Sequence, residues 1–141
     1  MPEPQWHLTA APLPIAIAKL GPGDADPALA AMISVFVDLD HLVDIAWYRV
    51  TGDRERQLIP LHAVELLPLL LARGTPRSRG LAIGLAVHYG IDLVFGEYRL
   101  RELSVAWRLR HRLRTGWMGD WVEWPRGRSS WRAIFGLAAP S

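Results

Sequence analysis

The sequence predicts an all-α fold: a bundle of four to five helices, embedded in a membrane, with a basic and tryptophan-rich C-terminal segment. Three apolar stretches of helical length lie between residues 27 and 96, and short turns rich in Gly, Pro and charged residues separate them. Half of the 141 residues are hydrophobic and 21% are charged, which suits one domain with a substantial core.

The first elements are set by proline and glycine. A modest apolar stretch covers residues 7–20, and a break rich in Gly, Pro and Asp follows it. Asp26 followed by Pro27 is typical of a helix N-cap and first helical residue. The next helix is therefore predicted over residues 27–50 and ends before Gly52. At about 24 residues it is long enough to span a bilayer.

Two more helices follow, over residues 58–73 and 80–96. Pro60 suits a first helical turn, Pro68 is expected to kink the helix, and Gly74 ends it. In the third stretch two glycines four residues apart, at 80 and 84, would let another helix approach closely.

The C-terminal third is basic and aromatic. Residues 97–114 are predicted to be helical, although positions 107–114 alternate in polarity as a half-buried strand would. Residues 1–116 therefore form the predicted bundle. Residues 117–141 form a tail that packs on the bundle or at a membrane interface, with a short helix near 131–137.

Each of the three apolar segments carries a histidine and a carboxylate where a core helix would carry Leu or Val. They are Asp38, Asp40, His41 and Asp44 in the first segment, His62 and Glu65 in the second, and His88 and Asp92 in the third. An ionised carboxylate in apolar surroundings costs several kcal/mol unless it is paired or bound to a cation. A metal ion is the simplest common partner for these eight groups.

Helix geometry brings these groups together. At 100° per residue Asp40, His41 and Asp44 occupy an arc of about 100°, and Asp38 lies about 60° beyond it. The polar pairs of the other two segments are three and four residues apart, so each pair shares a helix face. If consecutive helices are antiparallel, the groups lie about 6 to 13 Å from one end of the bundle. His7 would begin from the same end and is a further candidate ligand.

Cysteine is absent from the sequence, which excludes disulfides, thiolate zinc sites and cysteine nucleophiles. Imidazole and oxygen ligands leave zinc, manganese, iron or magnesium, with zinc expected first.

Three runs of residues resemble a known family. The run 37–42 (VDLDHL), the run 59–63 (IPLHA) and the run 84–92 (GLAVHYGID) are similar to small bacterial membrane-associated metal-dependent hydrolases, the LexA-regulated inner-membrane hydrolase-like family and its relatives. The similarity covers about residues 28–96. The spacing of His88 and Asp92 is also similar to an element of zinc-dependent phospholipase C, a helical phosphoesterase.

The resemblance implies a divalent metal site with one or two ions. The ligands that it implies are Asp38, Asp40, His41, His62, His88 and Asp92. In such an enzyme a nearby carboxylate would act as general base in the hydrolysis of a phosphoester or similar bond, and Glu65 and Asp44 are the candidates. Two other interpretations stay open, namely a non-catalytic accessory subunit of a membrane protein complex and a nucleic-acid-binding protein that uses the arginines of residues 108–114.

The distribution of charge suggests a location and partners. Residues 97–141 contain nine arginines, four acidic residues and five of the seven tryptophans. This mixture suits a lipid headgroup interface, and the tail could also dock on a membrane protein, whereas nucleic acid is a less favoured partner. The basic residues concentrate at the metal end. The expectation is therefore a bacterial inner-membrane protein with its metal end and both termini in the cytoplasm.

Overall fold

The computed structural model describes residues 9–21, 23–53, 56–94 and 100–114. The helices in these ranges are α1 (Pro12–Leu20), α2 (Pro27–Phe36), α3 (His41–Thr51), α4 (Leu66–Arg73), α5 (Pro76–Val94) and α6 (Val105–Arg110), and a 3-10 turn (Val37–Asp40) joins α2 to α3. The predicted all-α class is confirmed for the described residues, where an isolated bridge between Arg56 and Arg114 is the extent of β pairing. His7 and the tail 117–141, with its predicted short helix, lie outside these ranges.

The predicted helix boundaries at Asp26, Gly52 and Gly74 are confirmed. The carboxylate of Asp26 accepts hydrogen bonds from the backbone N–H groups of Ala28 and Leu29, both at 3.0 Å, and Pro27 is the first helical residue. Gly52 and Gly74 follow α3 and α4 with φ of 71° and 66°. These left-handed conformations favour glycine, which carries no Cβ to clash with the backbone.

The close approach predicted for the glycines of residues 80–84 is also confirmed. A Cβ at Gly80 would overlap the carbonyl oxygen of Asp26, and one at Gly84 would overlap the carbonyl oxygen of Ala30. His88, one turn further on, contacts Ser34. Positions 26, 30 and 34 thus contact positions 80, 84 and 88 in the same order, so α2 and α5 are parallel and in direct contact. Their C-terminal ends therefore lie at the same end of the molecule.

The continuous helix predicted over residues 27–50 is wrong, because the 3-10 turn interrupts it. In a 3-10 turn residues three apart eclipse one another, whereas an α-helix would separate Asp38 and His41 by about 60°. The tighter turn brings Asp38 Oδ1 to 3.7 Å from His41 Nε2. Among the described helices, none combines the length and the hydrophobicity needed to cross a bilayer.

The helix predicted over residues 58–73 begins only at Leu66. Residues 58–62, called here the His62 loop, follow another path. The backbone N–H groups of Leu58, Ile59, Leu61 and His62 donate mainly to aspartate side chains of the 3-10 turn and α3. Pro68 is the third residue of α4, where a backbone N–H has no partner within the helix. The expected kink at Pro68 is therefore unnecessary.

Residues 97–99 lie outside the described ranges, and over residues 100–114 the predicted helix is confirmed only at α6. Ser104 caps this helix by accepting a hydrogen bond from the backbone N–H of Trp107 at 3.2 Å. Arg112 and Leu113 have φ of 56° and 63°, which ends the helix soon after Arg110. The strand suggested by alternating polarity is wrong, because that alternation coincides with one short helix and a turn.

The core is small and unusually polar. Among the described residues, its apolar cluster consists of Val37, Ile59, Leu85, Tyr89 and Leu103, with Val64 and partly buried residues of α2 and α4 around it. The buried polar residues include Asp40, His41, Asp44, His62, His88 and Asp92, whereas Asp38 is partly exposed. The surface of the same region is apolar: α2, the 3-10 turn and α3 carry a row of exposed apolar side chains, called here the exposed apolar row, which consists of Met32, Phe36, Leu39, Leu42 and Val43. This segment directs its carboxylates toward the interior and its largest apolar side chains toward solvent.

Candidate metal centre

Four side chains face one another in the interior, and they form what is called here the facing quartet. Its members are Asp38, His62, His88 and Asp92. The two imidazole Nε2 atoms lie 3.1 Å apart. Asp38 Oδ1 lies 3.5 Å from the Nε2 of His62 and 3.3 Å from that of His88, and Asp92 Oδ2 lies 3.6 and 3.3 Å from the same atoms.

Three separate elements supply the quartet. His88 and Asp92 stand one turn apart on α5 and therefore share its inner face. Asp38 comes from the 3-10 turn, and His62 from the loop that follows α3. Four of the eight groups that were predicted to converge thus meet in the interior, and His62 arrives from a loop and not from a helix.

Neighbouring acceptors fix the protonation of both imidazoles. His62 Nδ1 lies 3.1 Å from Asp40 Oδ1, and His88 Nδ1 lies 2.9 Å from the carbonyl oxygen of Ser34. A carboxylate and a carbonyl only accept hydrogen bonds, so in the neutral ring each Nδ1 carries the hydrogen and each Nε2 carries a lone pair. Such second-layer partners are typical of metal-binding histidines.

The quartet therefore brings four electron-rich atoms together, and a positive charge must compensate them. Without a metal, protons supply it. Burial lowers the pKa of His88, but the hydrogen bonds that its ring donates to Asp38 and Asp92 outweigh burial and raise the pKa to about 9. Burial likewise lowers the pKa of His62, and its carboxylate neighbours raise it well above the usual value. If one ring is protonated at Nε2, that N–H donates a hydrogen bond to the Nε2 lone pair of the other ring. If both rings were protonated there, two N–H groups would face each other across a distance of 3.1 Å between the nitrogens.

The spacing also fits a metal ion. Ligands bound tetrahedrally at about 2.0–2.1 Å are separated by about 3.3–3.4 Å. The five separations that involve an Nε2 atom of the quartet run from 3.1 to 3.6 Å. Buried His and Asp groups of this structure can thus hold a metal ion, in two overlapping sets of three: Asp38 with His41 and His62, and His62 with His88 and Asp92.

The two sets share His62, whose Nδ1 is already engaged by Asp40. Only its Nε2 can bind a metal ion, and one lone pair serves one ion. Of the one or two ions that the sequence leaves open, the geometry therefore favours one.

His41 and Asp44 lie at the edge of the quartet. His41 Nε2 is 3.7 Å from Asp38 Oδ1, and its Nδ1 is 3.9 Å from Asp44 Oδ2. The ring of His41 is tilted against that of His62, with centroids 4.9 Å apart. His41 is therefore placed to accept or deliver a proton beside the quartet, or to bind the ion as a further ligand.

Asp40 and Asp44 bind backbone groups of the His62 loop. Asp40 Oδ2 accepts hydrogen bonds from the N–H groups of Leu61 at 2.8 Å and His62 at 3.3 Å. Asp44 Oδ1 accepts from Leu58 at 2.6 Å and Ile59 at 3.4 Å. Asp40, predicted as a ligand, thus lies behind His62 and not beside the Nε2 atoms.

Two residues outside the predicted site also hold the His62 loop. Arg108, fully buried, donates to the carbonyl oxygens of Leu58, Ile59 and His62 at 2.7 to 2.9 Å. The hydroxyl of Tyr89 donates to the carbonyl oxygen of Leu61. The role of Arg108 could not be predicted, because this residue is one of several arginines in a basic run.

Glu65 contacts another part of the molecule. It accepts hydrogen bonds from the Ser104 hydroxyl at 2.5 Å and from the N–H groups of Val105 and Ala106 at 3.0 and 3.3 Å, and so caps α6. Burial raises the pKa of Glu65, but these donors together outweigh it and lower the pKa to about 2. His111 is exposed and stacks on Trp107.

Comparisons with known proteins identify no family for this chain. No family model matches the chain, and searches of curated proteins and of solved structures return no match.

Proposed function

We propose that this protein is a metal-dependent hydrolase with one divalent ion in the facing quartet, and that it cleaves phosphoesters or similar bonds. The observation that carries this is the meeting of two imidazole lone pairs and two carboxylates at 3.1 to 3.6 Å in a buried site. A site of this composition is costly unless a cation compensates it. Zinc suits two nitrogen and two oxygen donors best, and manganese, iron and magnesium are the alternatives.

The residues of the quartet would hold the ion, with His62 and His88 oriented by Asp40 and by the Ser34 carbonyl. A divalent ion in such a site lowers the pKa of water and polarises the oxygen of a phosphoryl group. The protein itself keeps the ring nitrogens in the correct tautomer and excludes bulk water from three of the four ligands, which are fully buried.

We assign proton transfer to His41 instead of Glu65. The His41 ring lies beside Asp38, and Asp44 stands behind its Nδ1. A histidine backed by a carboxylate is a common general base. Glu65 is a poor base because its pKa is about 2 and its oxygens cap α6. Asp44, the second predicted catalytic carboxylate, then supplies a negative charge 3.9 Å from the His41 Nδ1 and does not accept the proton itself.

The exposed apolar row supports a location at a membrane surface. Soluble monomers rarely expose a contiguous apolar patch larger than a few hundred Å². The row occupies the outer side of α2, the 3-10 turn and α3, and the first basic residue after it is Arg49. An inner-membrane location, with lipids as contacts and the Trp- and Arg-rich tail at the headgroups, remains our proposal for the chain.

Elemental analysis of the freshly purified chain tests the metal centre. About one equivalent of zinc or another divalent ion is expected, and His62→Ala and His88→Ala should each lose it together with hydrolysis of a chromogenic phosphodiester such as methyl 4-nitrophenyl phosphate. His111→Ala, at an exposed histidine, is the matched control and should keep both. His41→Gln should keep most of the metal but lose at least tenfold in kcat.

A chain that binds no divalent ion under any of these conditions would contradict the proposal. The polar cluster would then be a structural network, as the accessory-subunit interpretation requires. Retention of metal in both His62→Ala and His88→Ala would contradict the ligand assignment.

A further inference from the structure

Access to the quartet is one-sided. The side chains of His62, His88 and Asp92 are at most 1% exposed, whereas that of Asp38 is 28% exposed. His41 lies at the edge of the quartet beside Asp38 and is buried. A substrate that reaches the ion without unfolding α5 or the His62 loop must therefore approach past Asp38, that is, from the outer side of the 3-10 turn.

The surface around Asp38 is apolar. Leu39, next in the chain, is 57% exposed, and Leu42, one turn further on, is 59% exposed. Both belong to the exposed apolar row, which extends from there over Phe36 and Val43. Between Pro27 and Tyr48 the charged residues are the three aspartates that point inward or partly inward. Within residues 27–48 there is therefore no lysine or arginine that would bind an incoming anion.

We infer that the substrate is an amphiphile, a phosphoester with a long alkyl chain whose head reaches the ion past Asp38 while its chain lies on Leu39, Leu42 and the rest of the row. This inference rests on the proposed function and specifies its substrate class. A small hydrophilic ester would contact the quartet beside Asp38 but not the exposed apolar row. An alkyl chain covers the apolar half, and each methylene removed from water strengthens binding by up to about fourfold.

Two matched phosphodiesters test the inference in the zinc-loaded chain. Methyl and octyl 4-nitrophenyl phosphate share the scissile bond, the charge and the leaving group, and differ only in alkyl length. At concentrations where the octyl ester is monomeric, we expect its kcat/KM to exceed that of the methyl ester at least tenfold. In the double variant Leu39→Gln and Leu42→Gln the ratio of the two values should fall toward one.

The double variant Leu69→Gln and Leu71→Gln is the control, since these α4 side chains have nearly the same exposure, at 64% and 56%, outside the row. It should keep the wild-type ratio. A second readout is independent of turnover: titration calorimetry should show octyl phosphate binding to the loaded chain at least tenfold more tightly than inorganic phosphate, with the difference reduced in the first double variant only.

The outcomes separate the two proposals. Equal kcat/KM for both diesters, or a preference for octyl that survives in the Leu39 and Leu42 variant, overturns the amphiphile inference and leaves hydrolysis intact. A loaded chain that hydrolyses neither diester overturns the proposed activity, and this inference with it.

Discussion

The facing quartet and the pair Asp40 and Asp44 contain the same kind of residue in the same interior, yet their surroundings are opposite. Each carboxylate of the pair accepts backbone N–H groups of the His62 loop at 2.6 to 3.4 Å. The carboxylates of the quartet face imidazole Nε2 atoms that carry lone pairs when neutral. The pair is therefore stabilised by backbone N–H groups, whereas the quartet brings carboxylates and imidazoles together around a position that a proton or a metal ion would stabilise.

This difference separates structural carboxylates from functional ones. A buried carboxylate supplied with N–H donors holds the backbone in place. A buried carboxylate that faces other acceptors lowers stability unless a cation is bound, and evolution has a reason to keep it only where the cation is used. Sequence position alone does not distinguish the two, since Asp38 and Asp40 are separated by one residue.

The strongest test of the comparison replaces one carboxylate from each group in protein treated with a chelator. Asp40→Ala removes the acceptor for the backbone N–H groups of Leu61 and His62 and for His62 Nδ1, and both hydrogen bonds of His62 are buried. We expect a loss of about 3–5 kcal/mol in the free energy of unfolding, measured by urea denaturation. Asp38→Ala removes a partly exposed carboxylate and should change it by less than about 1 kcal/mol.

The order should reverse for zinc. Asp38→Ala deletes a proposed ligand and is expected to weaken zinc binding more than any stable variant at Asp40, such as Asp40→Asn, which keeps an oxygen for the loop. Equal losses of unfolding free energy in the metal-free Asp38 and Asp40 variants would remove the distinction between the two groups.

A second test uses the buried arginine. Arg108→Met keeps an apolar stem but removes the donors to three carbonyl oxygens of the His62 loop. We expect a loss of about 3 kcal/mol in unfolding free energy, since bonds from a charged donor contribute about 1.5–3 kcal/mol each and are not additive. Arg110→Met, at an exposed position two residues further on α6, should change it by no more than about 0.5 kcal/mol.

The zinc affinity of the Arg108 variant sharpens the test. If the loop holds His62 for the ion, Arg108→Met should also weaken zinc binding, and Arg108→Lys should restore part of it. Unchanged zinc affinity in a destabilised Arg108→Met protein would show that His62 is positioned by Asp40 alone.

The features that local chemistry determines could be predicted from the sequence. The cap at Asp26, the ends at Gly52 and Gly74, and the close approach at Gly80 and Gly84 depend on a few neighbouring residues. The meeting of the four quartet residues was predictable for a similar reason, because polar side chains in apolar helices are stable only where they contact other polar groups.

The features that depend on partners distant in sequence could not be predicted. The His62 loop looks helical by composition, and its backbone leaves the helix because Asp40 and Asp44 supply acceptors from 14 to 22 residues away. Glu65 is assigned correctly only when Ser104, 39 residues later, is seen to contact it. Tertiary hydrogen bonds overrode local propensity in both places.

The smallest expected effect concerns Glu65, a carboxylate with N–H donors that extends the comparison to a helix end. Its pKa in the folded protein is about 2, below the ordinary value of 4.5. A depressed pKa means that the charged form stabilises the fold. The contribution is therefore fully present above about pH 4.5 and is lost as the pH falls toward 2. Glu65→Gln, which stays neutral, should be about 1 kcal/mol less stable than wild type at pH 7.

Urea denaturation of chelator-treated protein between pH 6 and pH 3 measures this difference, and the two proteins should converge in stability as the pH falls. A difference that stays constant over this range would show that hydrogen-bond geometry, and not the charge of Glu65, stabilises the start of α6. A general base, by contrast, needs a pKa nearer the working pH. The same titration that confirms Glu65 as a cap therefore also weighs against its role in catalysis.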